Sequence, residues 1–258
     1  MIDIYEEIVK IMRAGEEAAL VTVVKSSGST PREEGSKMLV RTDGNILGSI
    51  GGGVIESHVC KKAREVIEKG KPLKLLAGLN GNEYGGGETV ICGGQMEVFI
   101  EPIIPPPGLF IFGGGHIALP LSRIAKISGF RVVLIDDRAE FANSQRFPEA
   151  DLIIAEHYDK AFSTLKIGES SYIVIITRGH KYDEQVLKLS LGTRAGYIGM
   201  IGSRKKIDTI YSHLLDEGVS QEQINKVHAP IGIDINAETP EEIAISIIAE
   251  VIKVKRSS

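Results

Sequence analysis

The sequence predicts a two-domain α/β protein, in which an N-terminal domain of mixed α+β construction is followed by a parallel sheet covered by helices on both faces. Three observations lead there. From Leu109 onward, short β-branched and aromatic runs alternate with amphipathic stretches, as strands buried on both faces and joined by helices must. Ile103-Ile104-Pro105-Pro106-Pro107-Gly108 divides the chain, because consecutive prolines hold an extended backbone and donate nothing to a sheet ladder. The domains expected are therefore 1–104 and 105–258. Before that boundary, strand-like runs are separated by glycine-rich loops and two helical stretches.

The first domain opens with a helix over residues 3–14, since Ile4, Ile8, Ile11 and Met12 share one face and Gly15 closes it. Strands follow at 18–24 and 37–41, and the Asp43-Gly44 turn leads into another at 46–50. Gly51-Gly52-Gly53 opens a helix over 54–69 that ends at Gly70 and Pro72. Strands at 73–77 and 96–100 complete a mixed sheet. Residues 78–94 hold seven glycines, too many for regular structure and too specifically placed for a linker.

Residues 109–138, LFIFGGGHIALPLSRIAKISGFRVVLIDDR, read as strand, turn, helix and strand. The turn has the form Gly113-x-Gly115-x-x-Ala118, and Asp136 follows the second strand, Arg131 to Ile135, 23 residues after Gly113. Each position has a task in a dinucleotide fingerprint. Gly113 permits the tight turn, Gly115 lets backbone approach a pyrophosphate, Ala118 lets helix pack on strand, and the helix N-terminus offers unpaired N–H groups. Asp136 can accept from both ribose hydroxyls and would repel a 2′-phosphate, favouring NAD over NADP, although Arg138 weighs the other way. A Rossmann-like C-terminal domain is expected. The alternative is the same scaffold with an empty crevice or another phosphorylated ligand. Strands at 152–155, 172–177 and 197–201 then alternate with helices at 160–165, 183–190 and 203–217. The last helix begins at Thr239-Pro240-Glu241-Glu242, where threonine caps and Glu242 closes a capping box.

The net charge of −4 argues against nucleic acid or an anionic membrane as partner, and the short cluster Arg204-Lys205-Lys206 does not alter that. Two cysteines, Cys60 and Cys92, are too few for a disulfide framework, so the cytoplasm is the expected location. The acidic N-terminus has no signal-peptide character, and Glu250 interrupts the most apolar late segment.

Several loops have residues suited to an anionic ligand. Ser26 to Arg32, Ser49 to Gly53, and the run from Gly85-Gly86-Gly87 to Cys92-Gly93-Gly94 combine hydroxyls, backbone N–H groups and one arginine, Arg32. Arg32, Gly51, Gly52, Gly53 and Gly86 are the candidate ligand-binding residues there. Cys92 reads equally as a reactive thiol, sulfur acceptor or soft metal ligand and as a small buried hydrophobe; Cys60, beside Val59 on a helix, reads as core. The histidines lack metal-ligand spacing. His180, in Thr177-Arg178-Gly179-His180, follows a strand and so falls where open α/β sheets hold ligands, although a solvated loop fits too. The Tyr-x-x-x-Lys pair, the phosphate loop and the nucleophile elbow are all missing.

Taken together, these motifs resemble the XdhC/CoxI family. The residues that carry the resemblance are Gly28-Ser29-Thr30-Pro31-Arg32-Glu33-Glu34-Gly35-Ser36-Lys37-Met38, Gly48 to Glu56, Cys92-Gly93-Gly94, the Gly113 turn, Ile135-Asp136-Asp137-Arg138, Thr177 to His180, Tyr197 to Arg204, and His228 to Ala244. They span nearly the whole chain. The resemblance implies an accessory chaperone that binds molybdenum cofactor (molybdopterin), protects it during sulfuration by a cysteine desulfurase, and helps insert it into an apo molybdenum hydroxylase such as xanthine dehydrogenase. It implies for Cys92 the catalytic or metal-ligating role nearest the sulfur chemistry, and a homodimer is expected. One departure stands out: many relatives read Gly-Cys-Val-Glu where this chain has Gly53-Val54-Ile55-Glu56. If that cysteine holds molybdenum, the chain is a divergent chaperone or serves another molybdenum- or selenium-dependent hydroxylase. Two other classes remain open on the residues alone, an NAD(P)-dependent oxidoreductase and a nucleotide-sensing regulatory module.

Overall fold

A computed structural model of the chain describes residues 2–27, 32–78 and 95–257. It divides into two compact units, Met1–Pro105 and Pro106–Ser258.

The first unit is a five-stranded sheet between two helices. Its elements are α1 (Ile2–Ala14), β1 (Ala18–Ser27), β2 (Lys37–Arg41), β3 (Ile46–Gly48), α2 (Gly53–Lys69), β4 (Leu73–Gly78) and β5 (Gln95–Ile103), and the strand order is β3-β2-β1-β5-β4. Every pairing is antiparallel, where the sequence suggests a mixed sheet. The α2 crossover carries the chain past β1 to the far edge, and β5 then inserts between β1 and β4 running against both. Alternation along the strands serves the two faces. Ala19, Val21, Met38, Val40, Val98 and Ile100 pack with Val59, Ala63 and Val66 of α2. Ala18, Leu20 and Leu39 pack with Ile4 and Ile11 of α1. Arg41 of β2 fastens the second face by pairing with Glu7 of α1 at 2.6 Å and with Glu16 at 2.7 Å.

The second unit contains β6 (Gly108–Phe112), α3 (Ala118–Ile127), β7 (Arg131–Asp136), β8 (Leu152–Ala155), α4 (Tyr158–Thr164), β9 (Ser171–Ile175), α5 (His180–Leu191), β10 (Tyr197–Met200), α6 (Arg204–Asp216), α7 (Gln221–Ile224), β11 (Val227–His228) and α8 (Pro240–Ser257). Its sheet is parallel throughout, in the order β11-β10-β9-β6-β7-β8. The chain winds outward from β6 through β7 to β8, returns to β9 on the other side of β6, and continues outward to β11. That is the doubly wound arrangement, with its switch point between β6 and β9. Odd and even positions of the strands feed opposite cores: Leu109, Ile111, Val132, Leu134 and Val174 face α3 and α8, while Phe110, Phe112, Val133, Ile135 and Ile173 face α4, α5 and α6. At the start of α8, Thr239 Oγ1 accepts from the Glu242 N–H and Glu242 Oε2 accepts from the Thr239 N–H, closing the capping box.

Removing side-chain volume on the α1 face tests the two-faced reading of the first sheet. Leu39 is fully buried there, so Leu39→Ala should cost about 3 kcal/mol in denaturant unfolding. A loss below about 1 kcal/mol would mean that α1 does not cover this face.

Candidate functional site

The switch point opens between the loops that leave β6 and β9. Gly113 takes a φ of +112°, its N–H donates to the Ile135 carbonyl at 2.7 Å, and a Cβ there would stand 2.4 Å from the Ile176 carbonyl oxygen. Gly114 is as tightly held, since its Cβ would come within 2.5 Å of the Phe141 carbonyl oxygen. Gly115 differs: a Cβ would meet nothing within 4 Å. Two glycines of the turn thus let strands and loops close up, and the third leaves an open approach to backbone. Ala118 is fully buried among Leu109, Ile111 and Leu121.

Asp136 is 1% exposed, and its carboxylate is filled from within the protein. Oδ2 accepts from the Gly114 N–H at 2.8 Å and from Arg138 Nη2 at 3.0 Å; Oδ1 accepts from the Arg138 N–H at 3.0 Å and from Arg138 Nε at 2.9 Å. A carboxylate has about four lone-pair sites, and these donors take them. The expectation that Asp136 accepts from both ribose hydroxyls therefore gives way to a structural task, fastening the glycine turn to the end of β7. Burial pushes the Asp136 carboxyl up, but the Arg138 side chain and the Gly114 and Arg138 N–H groups outweigh it and hold the group below its ordinary 3.8. Arg138 also stacks on Phe141, 3.6 Å from the ring centroid.

The neighbouring acid is not among the site residues that the sequence suggests, although it stands in the Asp-Asp-Arg run. Asp137 Oδ2 accepts from Arg178 Nη2 at 2.7 Å, and the same nitrogen donates to the Tyr182 hydroxyl at 3.0 Å. Further along the crevice, the Thr177 N–H and hydroxyl both donate to Asp183 Oδ1, at 3.1 and 2.7 Å. Lys206 Nζ pairs with Asp183 Oδ2 and donates to the Ile201 carbonyl at 3.1 Å. This fully buried acid joins the loops after β9 and β10; burial raises its pKa, with Lys206 and Thr177 opposing. His180 is exposed in the first turn of α5.

In the first unit, the Ser49–Gly53 loop already holds an anion of its own. Glu56 Oε2 accepts from the Ser49 hydroxyl at 2.7 Å, the Gly52 N–H at 3.2 Å and the Ile50 N–H at 3.3 Å. Gly51, Gly52 and Gly53 all have positive φ, and the Gly52 and Gly53 faces open onto free space. Arg32 is exposed. Cys60 packs against the α2 core, and burial, with the charge of Glu56, pushes its thiol up. Cys92 and Gly86 lie outside the described residues, as does the Gly28–Pro31 part of the first loop. Among the described residues, no three His, Cys, Asp or Glu side chains gather as a metal site, and no helix is long and apolar enough to cross a membrane.

Strand order, glycine turn and switch-point crevice define the second unit as a Rossmann-type domain, which follows an antiparallel α+β unit in the chain. Comparison with known proteins makes this more particular. A family model described as the XdhC Rossmann domain matches residues 109–251, and one described as the XdhC and CoxI family matches residues 11–77. The chain belongs to the XdhC and CoxI family. It is 34% identical to the uncharacterized protein YqeB of Escherichia coli over 99% of this chain and 47% of that one, so it spans about half of that relative's length. It is 24% identical to the molybdenum cofactor insertion chaperone PaoD of Escherichia coli, over 96% of this chain and 86% of PaoD. It is 23% identical to a probable xanthine dehydrogenase subunit of Bacillus subtilis, over 93% of this chain and 94% of that one. A crystal structure of a xanthine dehydrogenase from Bacillus halodurans shares the fold with a TM-score of 0.54 and 22% identity, covering 98% of this chain and 95% of that one.

The turn can be tested by substitution and by acid. Gly113→Ala should destabilise the C-terminal unit by at least about 2 kcal/mol, through the positive φ and the clash with Ile176. Gly115→Ala should leave stability within about 0.5 kcal/mol; equal losses in thermal unfolding would contradict the division of labour. Because the folded pKa of Asp136 is depressed, its stabilisation is complete above the unfolded value near 3.8 and is lost as pH falls through the lower folded value. Asp136→Asn should cost about 3 kcal/mol at neutral pH and flatten the acid limb of a stability-against-pH curve; an unchanged acid limb would refute the assignment.

Proposed function

We propose that this protein is an accessory chaperone for the maturation of a molybdenum hydroxylase, and that molybdenum cofactor is its cargo. The observation that carries the reading is the family membership together with alignment along most of a relative named as a molybdenum cofactor insertion chaperone. The cargo presents a phosphate and an oxo-metal head. On this reading the phosphate lies against the Ser49–Gly53 loop and Arg32, whose hydroxyl, N–H groups and guanidinium suit an anion. The open faces of Gly52 and Gly53 support the fit, since they leave room for a ligand at the backbone. The loop N–H groups now taken by Glu56 would have to be shared or yielded. Gly86 and Cys92 are assigned to the same cargo, and Cys92 to the sulfur chemistry, because Cys60 packs as core and Val54 replaces the cysteine of many relatives.

The remaining parts belong to the same proposal. A cysteine desulfurase supplies the sulfur, an apo hydroxylase receives the loaded cofactor, and the chaperone works as a homodimer in the cytoplasm without becoming part of the enzyme. The C-terminal crevice takes a nucleotide such as NAD, with Gly115 against its phosphates and His180 and Arg138 at the rim.

Purification from a molybdopterin-competent host, followed by oxidation and pterin fluorescence, tests the cargo directly. The parent protein and Cys60→Ser should release pterin; Arg32→Ala should stay folded and release at least tenfold less, an effect of about 1.4 kcal/mol. Cys92→Ser should fail to activate an apo hydroxylase in reconstitution. Absence of pterin from the parent would remove the chaperone reading, and full activation by Cys92→Ser would make Cys92 a packing residue.

A further inference from the structure

Among the described residues, the buried side-chain polar atoms without a hydrogen-bond partner are Asp137 Oδ1, Arg146 Nε and the Tyr158 hydroxyl. An unsatisfied buried polar atom is costly, so each calls for a partner supplied from elsewhere. They are not scattered over the molecule. Asp137 follows β7, Tyr158 opens α4 just after β8, and Arg146 Nη2 donates to the Gly114 carbonyl at 3.1 Å. All three belong to the carboxyl-end rim around the glycine turn.

The carboxylate of Asp137 is oriented but half used. Its side chain is 5% exposed; Oδ2 is held by Arg178, whereas the contact of Oδ1 is an ion pair at 3.8 Å from Arg138 Nε, too long for a hydrogen bond. Tyr158 is 2% exposed, and its ring is fixed edge-on by Phe112 and Tyr182 at 6.0 and 5.9 Å between centroids. Burial raises its pKa, and the charges of Asp136 and Asp137 add to this, which keeps the phenol protonated and able to donate. A buried, unpartnered acceptor and a buried, unpartnered hydroxyl beside a phosphate-type glycine turn match the hydroxyls of a ribose.

We propose that Asp137, assisted by Tyr158, is the acceptor for the ribose diol of a nucleotide bound at the Gly113–Gly115 turn. Asp136 would hold the turn and Asp137 would read the sugar, dividing between adjacent acids what the fingerprint assigns to one. This rests on the reading that the C-terminal unit binds a nucleotide. It also gives the preference against a 2′-phosphate a source, since that dianion would meet two carboxylates whose arginine partners are already engaged with them.

Calorimetry on the full chain with NAD, NADP and the 2′-deoxyribose analogue of NAD tests the assignment. The parent should bind NAD most tightly. Asp137→Asn should lose on the order of tenfold or more toward NAD and no longer separate NAD from the deoxy analogue. Tyr158→Phe should lose severalfold while its thermal midpoint stays unchanged, because its hydroxyl bonds nothing in the protein. If Asp137→Asn binds NAD like the parent, or still separates NAD from the analogue by the parent's ratio, the orphaned atoms hold only internal water and the assignment falls, while nucleotide binding stands. Should Asp137→Asn fail to fold, undiminished NAD affinity in Tyr158→Phe overturns the proposal. Failure of the parent to bind any of the three removes the nucleotide reading and this proposal together.

Discussion

A buried carboxylate at the end of β7 holds the first loop of the parallel sheet in place. Asp136 reaches back across the strand pair to the Gly114 N–H and is itself gripped by Arg138. Such a charge is tolerated away from water only when every lone pair is met and a counter-charge is close. Both conditions hold, and the turn is fixed at three levels. Gly113 is closed down on Ile176, Gly114 on Phe141, and the Gly114 amide is tied to β7. Gly115 is left facing open space, and so the form of the crevice is set by the chain itself.

The same economy runs through the rest of the crevice. Asp183 does for the loops after β9 and β10 what Asp136 does for the loop after β6, drawing Thr177 and Lys206 onto one buried acid. Glu56 performs a related task in the first unit, where it gathers the hydroxyl and N–H groups of Ser49 to Gly52. In each case a carboxylate from an adjacent element gathers a loop's donors, so that a ligand there must share them or displace it. A glycine loop rich in N–H groups is therefore not a site by composition alone; what matters is which donors and acceptors remain unfilled once the chain has folded.

That distinction marks how far the sequence can be read. Strands buried on both faces leave uninterrupted apolar runs, so β6, β7 and β9 are legible, as is the capped start of α8. β11 is two residues long and α7 is one turn, too short for periodicity, although the Ser220 to Gln223 capping box is there to be seen. The helix after Thr177 begins at His180 and not at Asp183, because its first turn is polar and carries no apolar stripe. Antiparallel pairing of the first sheet is hidden because direction depends on a crossover, which local pattern does not record. At the site, glycines and acids are legible by type and spacing. The roles of Asp136 and Asp137 are not, since they depend on where Arg138 and Arg178, short polar-loop residues, direct their guanidinium groups.

The form of the crevice depends on Asp136 being spent inside the protein, and the Gly114 amide is its direct reporter. Following the Gly114 amide resonance by NMR from neutral pH downward should show a shifted signal that stays constant through the ordinary carboxyl value of 3.8 and moves only below it. A Gly114 resonance that titrates at or above that value, or that does not sense a carboxyl group at all, would contradict the claim that Asp136 fastens the turn.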